Sequence, residues 1–299
     1  MDAPHRLQLL TTGDLLLDVL VSGAFGSEHD DAGVVQLYPG GSAANFAAGA
    51  AGLGADVRFV GCVGGDAAGR LLVENLRESG VTTCVRVIPG ASTGTVLVMR
   101  DLDRATSRMW SDPAASALTR PSDFDPSWFT GLNGFHLTGY SLMRPGPQPA
   151  ALHALDLARA KGNDVFRSLD PNPAHLLAEV GPDWFRSLIA PMSFDLLLPN
   201  LEEGRLLAGV DNPDEIVDRL SGLVPLVLLK LGADGCLLAW EGERRYLPAV
   251  PVNVIDTTGA GDAFAAGFVV EYLTSRDPVA AAEAANRAAA SVVCRPGSR

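Results

Sequence analysis

The chain has 299 residues, 47% hydrophobic and 19% charged, with 35 acidic against 23 basic side chains and a formal net charge of −12. This apolar content excludes a disordered tail or a collagen-like repeat, and at this length one large α/β unit can bury most of the surface its unfolded chain exposes. The acidic balance argues against a nucleic-acid partner, because phosphate backbones are bound by clustered cations.

Strand-length apolar runs alternate with segments of helical period, joined by Gly, Pro, Asp or Asn. That pattern predicts an α/β fold, a mostly parallel central sheet covered by helices. In chain order it predicts strand 7–12, helix 42–53, strand 57–62, helix 67–79, strand 134–137, helix 149–160, strands 165–169 and 196–198, helices 202–208 and 215–220, strand 224–231, and helices 260–273 and 279–294. Four short β-prone runs, 34–38, 85–88, 95–99 and 107–110, leave no room for crossover helices. They predict a small antiparallel sheet, contributed from about 14–40 and 85–112, whose apolar face needs a cover. With no internal repeat or Pro/Ser-rich linker, residues 1–299 read as a single domain.

Asp14 and Asp18 interrupt the N-terminal apolar stretch, no basic segment precedes it, and no run of 18 apolar residues follows. The expectation is a cytoplasmic protein with no membrane partner. Cys62, Cys84, Cys236 and Cys294 lack metal-ligand spacing and read as buried thiols of a reducing compartment.

The segment with most chemical content is Asp256-Thr257-Thr258-Gly259-Ala260-Gly261-Asp262, which runs directly into a helical pattern. Glycines at a helix start let backbone amides converge on an anion, and the helix dipole adds positive potential. Asp262 would repel a phosphate there unless it takes the proton of a hydroxyl approaching that phosphate; alternatively, it is only an acidic residue favourable to the dipole. Lys161 and Lys230 are the only lysines, and neither follows GxxxxG, so the chain has no Walker A loop. Gly52-Leu53-Gly54 and 61–65 fail the GxGxxG spacing of a dinucleotide site.

The signature at 256–262 resembles the DTxGAGD motif of the ribokinase-like (PfkB-type) carbohydrate kinases. Gly40-Gly41-Ser42-Ala43-Ala44-Asn45 is similar to that family's GGxxxN, and it is followed by Leu53-Gly54-Ala55 and Gly61-Cys62-Val63-Gly64-Gly65-Asp66. Pro199-Asn200-Leu201-Glu202-Glu203 resembles NxxE, and Lys230-Leu231-Gly232-Ala233-Asp234-Gly235 resembles TxGxxG with lysine in place of threonine. Asp18, five residues after Gly13, falls where the family places a sugar-hydroxyl ligand.

The resemblance implies a ribokinase-like three-layer α/β/α domain with a small β-sheet lid. It further implies ATP-dependent phosphorylation of a sugar hydroxymethyl group, with Asp262 as base and the amides of Gly259, Ala260 and Gly261 as anion hole. Asp18, Gly40, Gly41 and Asn45 would bind the sugar together with Asp262. Asn172, Asn200, Lys230, Gly232, Gly235, Thr257 and Asn286 would join Gly259 and Gly261 around the nucleotide, with Asn286 on an exposed helical face. Asn200 and Glu203 would hold Mg2+ through water, although the same spacing is also a common helix-start pair. Asp256, Thr258 and Gly297 would form a site for K+, more open than usual because the sequence ends at Arg299. A homodimer through the lid is implied as well. Ser42 stands where several relatives carry lysine, which weakens the case for ribose and for a phosphorylated sugar. Ribose, fructose, a ketodeoxy acid and a nucleoside all stay open, because Arg104, Arg108 and Trp110 of the lid have no assignable contacts. A nucleoside kinase of the same family is one alternative; a catalytically silent sugar-binding regulatory protein is another.

Overall fold

The structure is a computed structural model and describes residues 6–23, 33–101, 106–295 and 297–298; Arg104 and Pro296 lie outside them. The chain opens with β1 (Gln8–Thr12), β2 (Leu16–Gly23) and β3 (Gly33–Gly40), then α1 (Ser42–Gly52), β4 (Asp56–Gly64), α2 (Ala67–Glu78) and β5 (Thr82–Ile88). Next come β6 (Thr95–Asp101), β7 (Thr106–Asp112), β8 (Gly134–Thr138), α3 (Gly139–Met143), α4 (Gln148–Arg159) and β9 (Phe166–Asp170). They are followed by α5 (Ala174–Val180), α6 (Pro182–Ile189), β10 (Leu196–Leu197), α7 (Leu201–Ala208), α8 (Pro213–Leu220) and β11 (Leu226–Lys230). The hairpin β12 (Cys236–Trp240) and β13 (Glu243–Leu247) leads to α9 (Ala260–Ser275) and α10 (Pro278–Val293).

Among the described residues the large sheet has nine strands, ordered β13-β12-β11-β10-β9-β8-β1-β4-β5. Its neighbours pair in parallel except around β12. Strands covered on both faces read as continuous apolar runs, and β11 shows why. Leu226 and Leu228 pack with α1, α9 and α10 on one face, Val227 and Leu229 with α4 to α8 on the other. These are the predicted three layers. Ala-rich α9 and α10 approach closely: a Cβ on Gly267 would lie 2.8 Å from Ala288 Cβ.

The small sheet is ordered β3-β2-β6-β7; β2–β3 and β6–β7 are antiparallel, whereas β2–β6 is parallel. Two assignments change relative to the sequence reading. Residues 85–88 belong to β5, which pairs in parallel with β4 at the edge of the large sheet, because α2 is the crossover that joins the two strands. Leu16–Gly23, inside the 14–40 stretch expected to feed the small sheet but not among the four β-prone runs because Asp18 breaks its apolar pattern, forms an inner strand of that sheet. The cysteines are also not uniformly buried: Cys62 and Cys236 are, Cys84 is half-buried and Cys294 is exposed. No helix among the described residues is long and apolar enough to cross a membrane.

Candidate active site

The carboxyl ends of β1, β8, β9 and β10, the start of α9 and one face of the small sheet converge on a cleft of about 640 Å3. Open α/β sheets place ligands at these strand ends, where loops diverge and helix starts point inwards. Asp18, Gly41, Asn45, Asn172, Asn200, Glu203, Asp256, Thr258, Gly259, Asp262 and Gly297 line this cleft, so the sequence-predicted sugar, metal and signature residues meet in one place.

Asp262 sits in the first turn of α9 and is buried. Asn45 Nδ2 donates to its Oδ2 at 2.8 Å. Burial pushes its carboxyl up to about 7, against the hydrogen bond from Asn45; Asp170 adds to the rise and Lys230 opposes it. A carboxyl titrating near neutrality can both take and release a proton under working conditions.

The paired glycines do different work. A Cβ on Gly40 would stand 2.3 Å from Asp18 Oδ2, and one on Gly41, whose φ is +100°, 2.2 Å from the Asp14 carbonyl. Gly40 therefore makes room for a carboxylate and Gly41 for backbone. Gly40→Ala is expected to displace the Asp18 carboxylate and, if Asp18 binds an acceptor hydroxyl as the resemblance implies, to raise the acceptor KM by about tenfold or more with ATP KM unchanged, since a lost charged hydrogen bond is worth roughly 1.5–3 kcal/mol. Initial-rate kinetics with each substrate varied separately check this.

Beneath the cleft floor, Lys230 Nζ lies 2.5 Å from Asp170 Oδ2. Burial disfavours the ammonium, yet Asp170, Glu203 and Asp262 together hold its pKa above the usual lysine value. Nζ also lies 3.5 Å from where a Cβ on Gly261 would be, so a fixed positive charge backs the glycine turn. His136, stacked on Phe46 and bonded through Nδ1 to Ser168, is driven down to about 3 by burial and then by Lys230; it is a neutral core residue.

Asn200 and Glu203 form a reciprocal capping box at the start of α7. Asn200 Oδ1 accepts from the Glu203 amide at 2.9 Å and Glu203 Oε2 from the Asn200 amide at 2.8 Å. The helix-start reading is thus realised, and both residues still face the cleft. Burial and then Asp170 push Glu203 up to about 7, with Lys230 opposing. Asp256 behaves differently. Burial opposes its ionisation, but the Thr258 hydroxyl and amide, the Gly297 amide and Arg100 outweigh it and hold the carboxyl below its usual range. Arg100 reaches it from β6 at 3.6 Å.

Several predicted residues stand away from the cleft lining. Ala260 donates its amide to the Thr257 carbonyl at 3.2 Å, which commits one member of the expected anion hole to the turn, and the Thr257 side chain is exposed. Gly232 and Gly235 shape the turn after β11, where a Cβ on Gly235 would meet the Leu247 carbonyl at 2.1 Å. Asn286 is buried rather than on an exposed face. Its amide donates to the carbonyls of Pro248 at 3.1 Å and Leu247 at 3.4 Å, so it ties α10 to the same 247–249 segment that Gly235 abuts.

The cleft also holds residues that the motifs did not flag. Asp14, directly after Gly13, accepts from Ser116 Oγ at 3.2 Å and is pushed up to about 7 by burial. Arg144, over the Tyr140 ring at 5.5 Å, has a buried Nε with no hydrogen-bond partner among the described residues. A polar residue just past a strand's carboxyl end was the available signal for Asp14; Arg100 and Arg144 carried none.

The model of pfkB family carbohydrate kinases matches residues 10–299. A 2-dehydro-3-deoxygluconokinase from Thermoproteus tenax is 33% identical over 268 residues, 86% of this chain and 80% of that one. An adenosine kinase from Sinorhizobium meliloti superposes with a TM-score of 0.87 at 22% identity, covering 99% of this chain and 96% of that one. An E. coli protein solved in complex with ATP and Mg2+ superposes at 0.85 with 26% identity, covering 98% and 94%. These similarities, over a large mostly parallel sheet with a smaller one beside it, show the ribokinase-like fold, and the chain belongs to the pfkB family of carbohydrate kinases.

Proposed function

We propose that this sugar kinase transfers the γ-phosphoryl group of ATP to a hydroxymethyl group of its acceptor, with Asp262 as base. The observation that carries the reading is the placement of Asp262. It is buried at a helix N-terminus, held by Asn45, in one cleft with Asp18 and Gly41. The acceptor hydroxyl gives its proton to Asp262 as its oxygen bonds to the γ-phosphorus, and the bond to the β–γ bridging oxygen breaks to release ADP. In-line placement and charge neutralisation contribute most to such a transfer. The first-turn amides, the helix dipole and Lys230 beneath Gly261 provide positive potential from this chain.

The donor set fits Mg2+. Asn200 and Glu203 line the cleft with Oδ1 and Oε2 already accepting the capping-box amides, a set that would hold Mg2+ through water. Such sites suit an ion that keeps its water and takes phosphate oxygens. Bound there, Mg2+ would neutralise charge on the transferring phosphates. A monovalent-cation site at Asp256, Thr258 and Gly297 would share the Asp256 carboxylate with the Thr258 and Gly297 amides that donate to it and with Arg100. Equal rates in K+ and in a bulky organic cation would remove that site. Exposed Val34, Val35, Leu37 and Trp110 on the edge strands of the small sheet support a homodimer through the lid. A sedimentation mass of one chain at micromolar concentration would count against it.

ADP release with a panel of sugars, ketodeoxy acids and nucleosides tests the activity. The ketodeoxy acids enter first, because Arg100 and Arg144 both face the cleft and a relative is named for such an acid. Tight sugar binding with no turnover across the panel would favour a silent binding protein.

A further inference from the structure

Gly297 and Ser298, which follow α10, are buried in the cleft wall between the small sheet and the start of α9. A Cβ on Gly297 would lie 2.6 Å from the Tyr38 ring, and one on Gly259 2.5 Å from the Ser298 carbonyl oxygen. Both glycines are therefore needed for the segment to lie where it does. The Gly297 amide is also bonded to Asp256 at 3.3 Å. Ser298 Oγ carries one proton and faces two acceptors, the Pro39 carbonyl at the end of β3 at 2.8 Å and Asn45 Oδ1 at 3.1 Å, so the two share that donor. Asn45 in turn donates from Nδ2 to Asp262 Oδ2 at 2.8 Å. A chain of side-chain hydrogen bonds thus runs from Ser298 through Asn45 to Asp262.

A carboxamide has a donor end and an acceptor end of nearly equal size, and its neighbours decide which way it points. Ionised Asp262 only accepts, so the NH2 end of Asn45 must face it, and Oδ1 is left facing Ser298. The Ser298 hydroxyl can donate to that oxygen, in a three-centre bond whose other acceptor is the Pro39 carbonyl. We propose that Ser298 is a positioning residue for Asp262. Its hydroxyl fixes the Asn45 amide, and the amide holds the carboxylate where the acceptor hydroxyl arrives. The inference rests on Asp262 being the base.

Without the hydroxyl, Asn45 Oδ1 loses a buried donor and the amide can turn, which leaves Ser42 as the remaining side-chain hydrogen bond to the carboxylate. Small misplacements at a reacting group are costly in rate, because alignment is a large part of the acceleration. Ser298→Ala is expected to lower kcat by about tenfold with ATP KM unchanged and a modest fall in Tm from the buried acceptors left without a donor, and Ser298→Thr, which keeps a hydroxyl, to recover most of the rate. In an Asn45→Ala background the serine replacement should have little further effect, because the path to Asp262 is already cut. Wild-type kcat in Ser298→Ala, an equal loss of kcat in Ser298→Thr at full folding, or a full effect in the Asn45→Ala background would each overturn the role. Asp262→Asn is measured alongside. If it retains turnover, the base assignment falls; if it is inactive while Ser298→Ala turns over normally, only the positioning role falls.

Discussion

Asp262→Asn is expected to lower kcat by about 10²–10⁴-fold, the range that positioned general acid–base groups contribute, with acceptor and ATP binding changed little. Asparagine keeps the shape of the side chain and can still hydrogen bond to Asn45, so the substitution removes proton acceptance more than architecture. Steady-state rates at saturating substrates check this, and near-normal turnover would show that another group takes the proton. The pH dependence gives a second view of the same group. With the carboxyl pushed up to about 7, the base is ionised above that pH and protonated below it, so kcat/KM should fall as pH drops through about 7. That limb should disappear in Asp262→Asn.

Stability should move in the opposite direction. In the unfolded chain the carboxyl ionises above roughly 4, whereas in the folded chain it stays protonated to about 7. The folded state binds more protons between these values, so stability falls as pH rises across that window. Asp262→Asn should therefore have a higher Tm than the parent chain at pH 8, a loss of function accompanied by a gain in stability.

The largest loss of stability is expected from Lys230→Met. The ion pair with Asp170 is buried, with Asp170 1% and Lys230 13% exposed in their side chains, and the carboxylate would be left without its cation. Removing one partner of a buried pair costs about 3–5 kcal/mol, because the remaining charge is desolvated and uncompensated. Glu203 and Asp262 lose the same positive neighbour, which adds to the effect. Replacing Asp170 by Asn in the same chain should recover part of the loss, since the stranded charge is gone. Urea unfolding midpoints at pH 8 for the single and double variants measure it. A midpoint for Lys230→Met equal to that of the parent chain would mean that the pair contributes little.

How far the sequence disclosed this arrangement depended on whether the relevant partners were local. The glycine turn and Asp262 were readable because seven consecutive residues carry the signal, and Gly40-Gly41 because two glycines before a helix imply close approach. The edge strand β5 was misplaced because a short β-prone run looks alike in either sheet; only the crossover through α2 distinguishes them. Asn286 is bonded to backbone carbonyls of the 247–249 segment, a contact that no spacing within its helix discloses. Arg100, Arg144 and Ser298 enter the cleft from elements far from the signature in sequence. Asn200 and Glu203 show a different limit: their spacing suits a cap and a metal-facing pair alike, and in the folded chain the cap is formed within the cleft.

Phosphoryl transfer to a hydroxymethyl group with Asp262 as base is measured most directly by phosphorus NMR of the product formed from ATP and each acceptor of the panel. A new phosphomonoester coupled to methylene protons is expected with at least one acceptor, formed in step with ADP and about 10²–10⁴-fold more slowly when Asp262→Asn replaces the parent chain. ADP formation that yields inorganic phosphate with every acceptor, or the same phosphomonoester formed at an undiminished rate by Asp262→Asn, would contradict it.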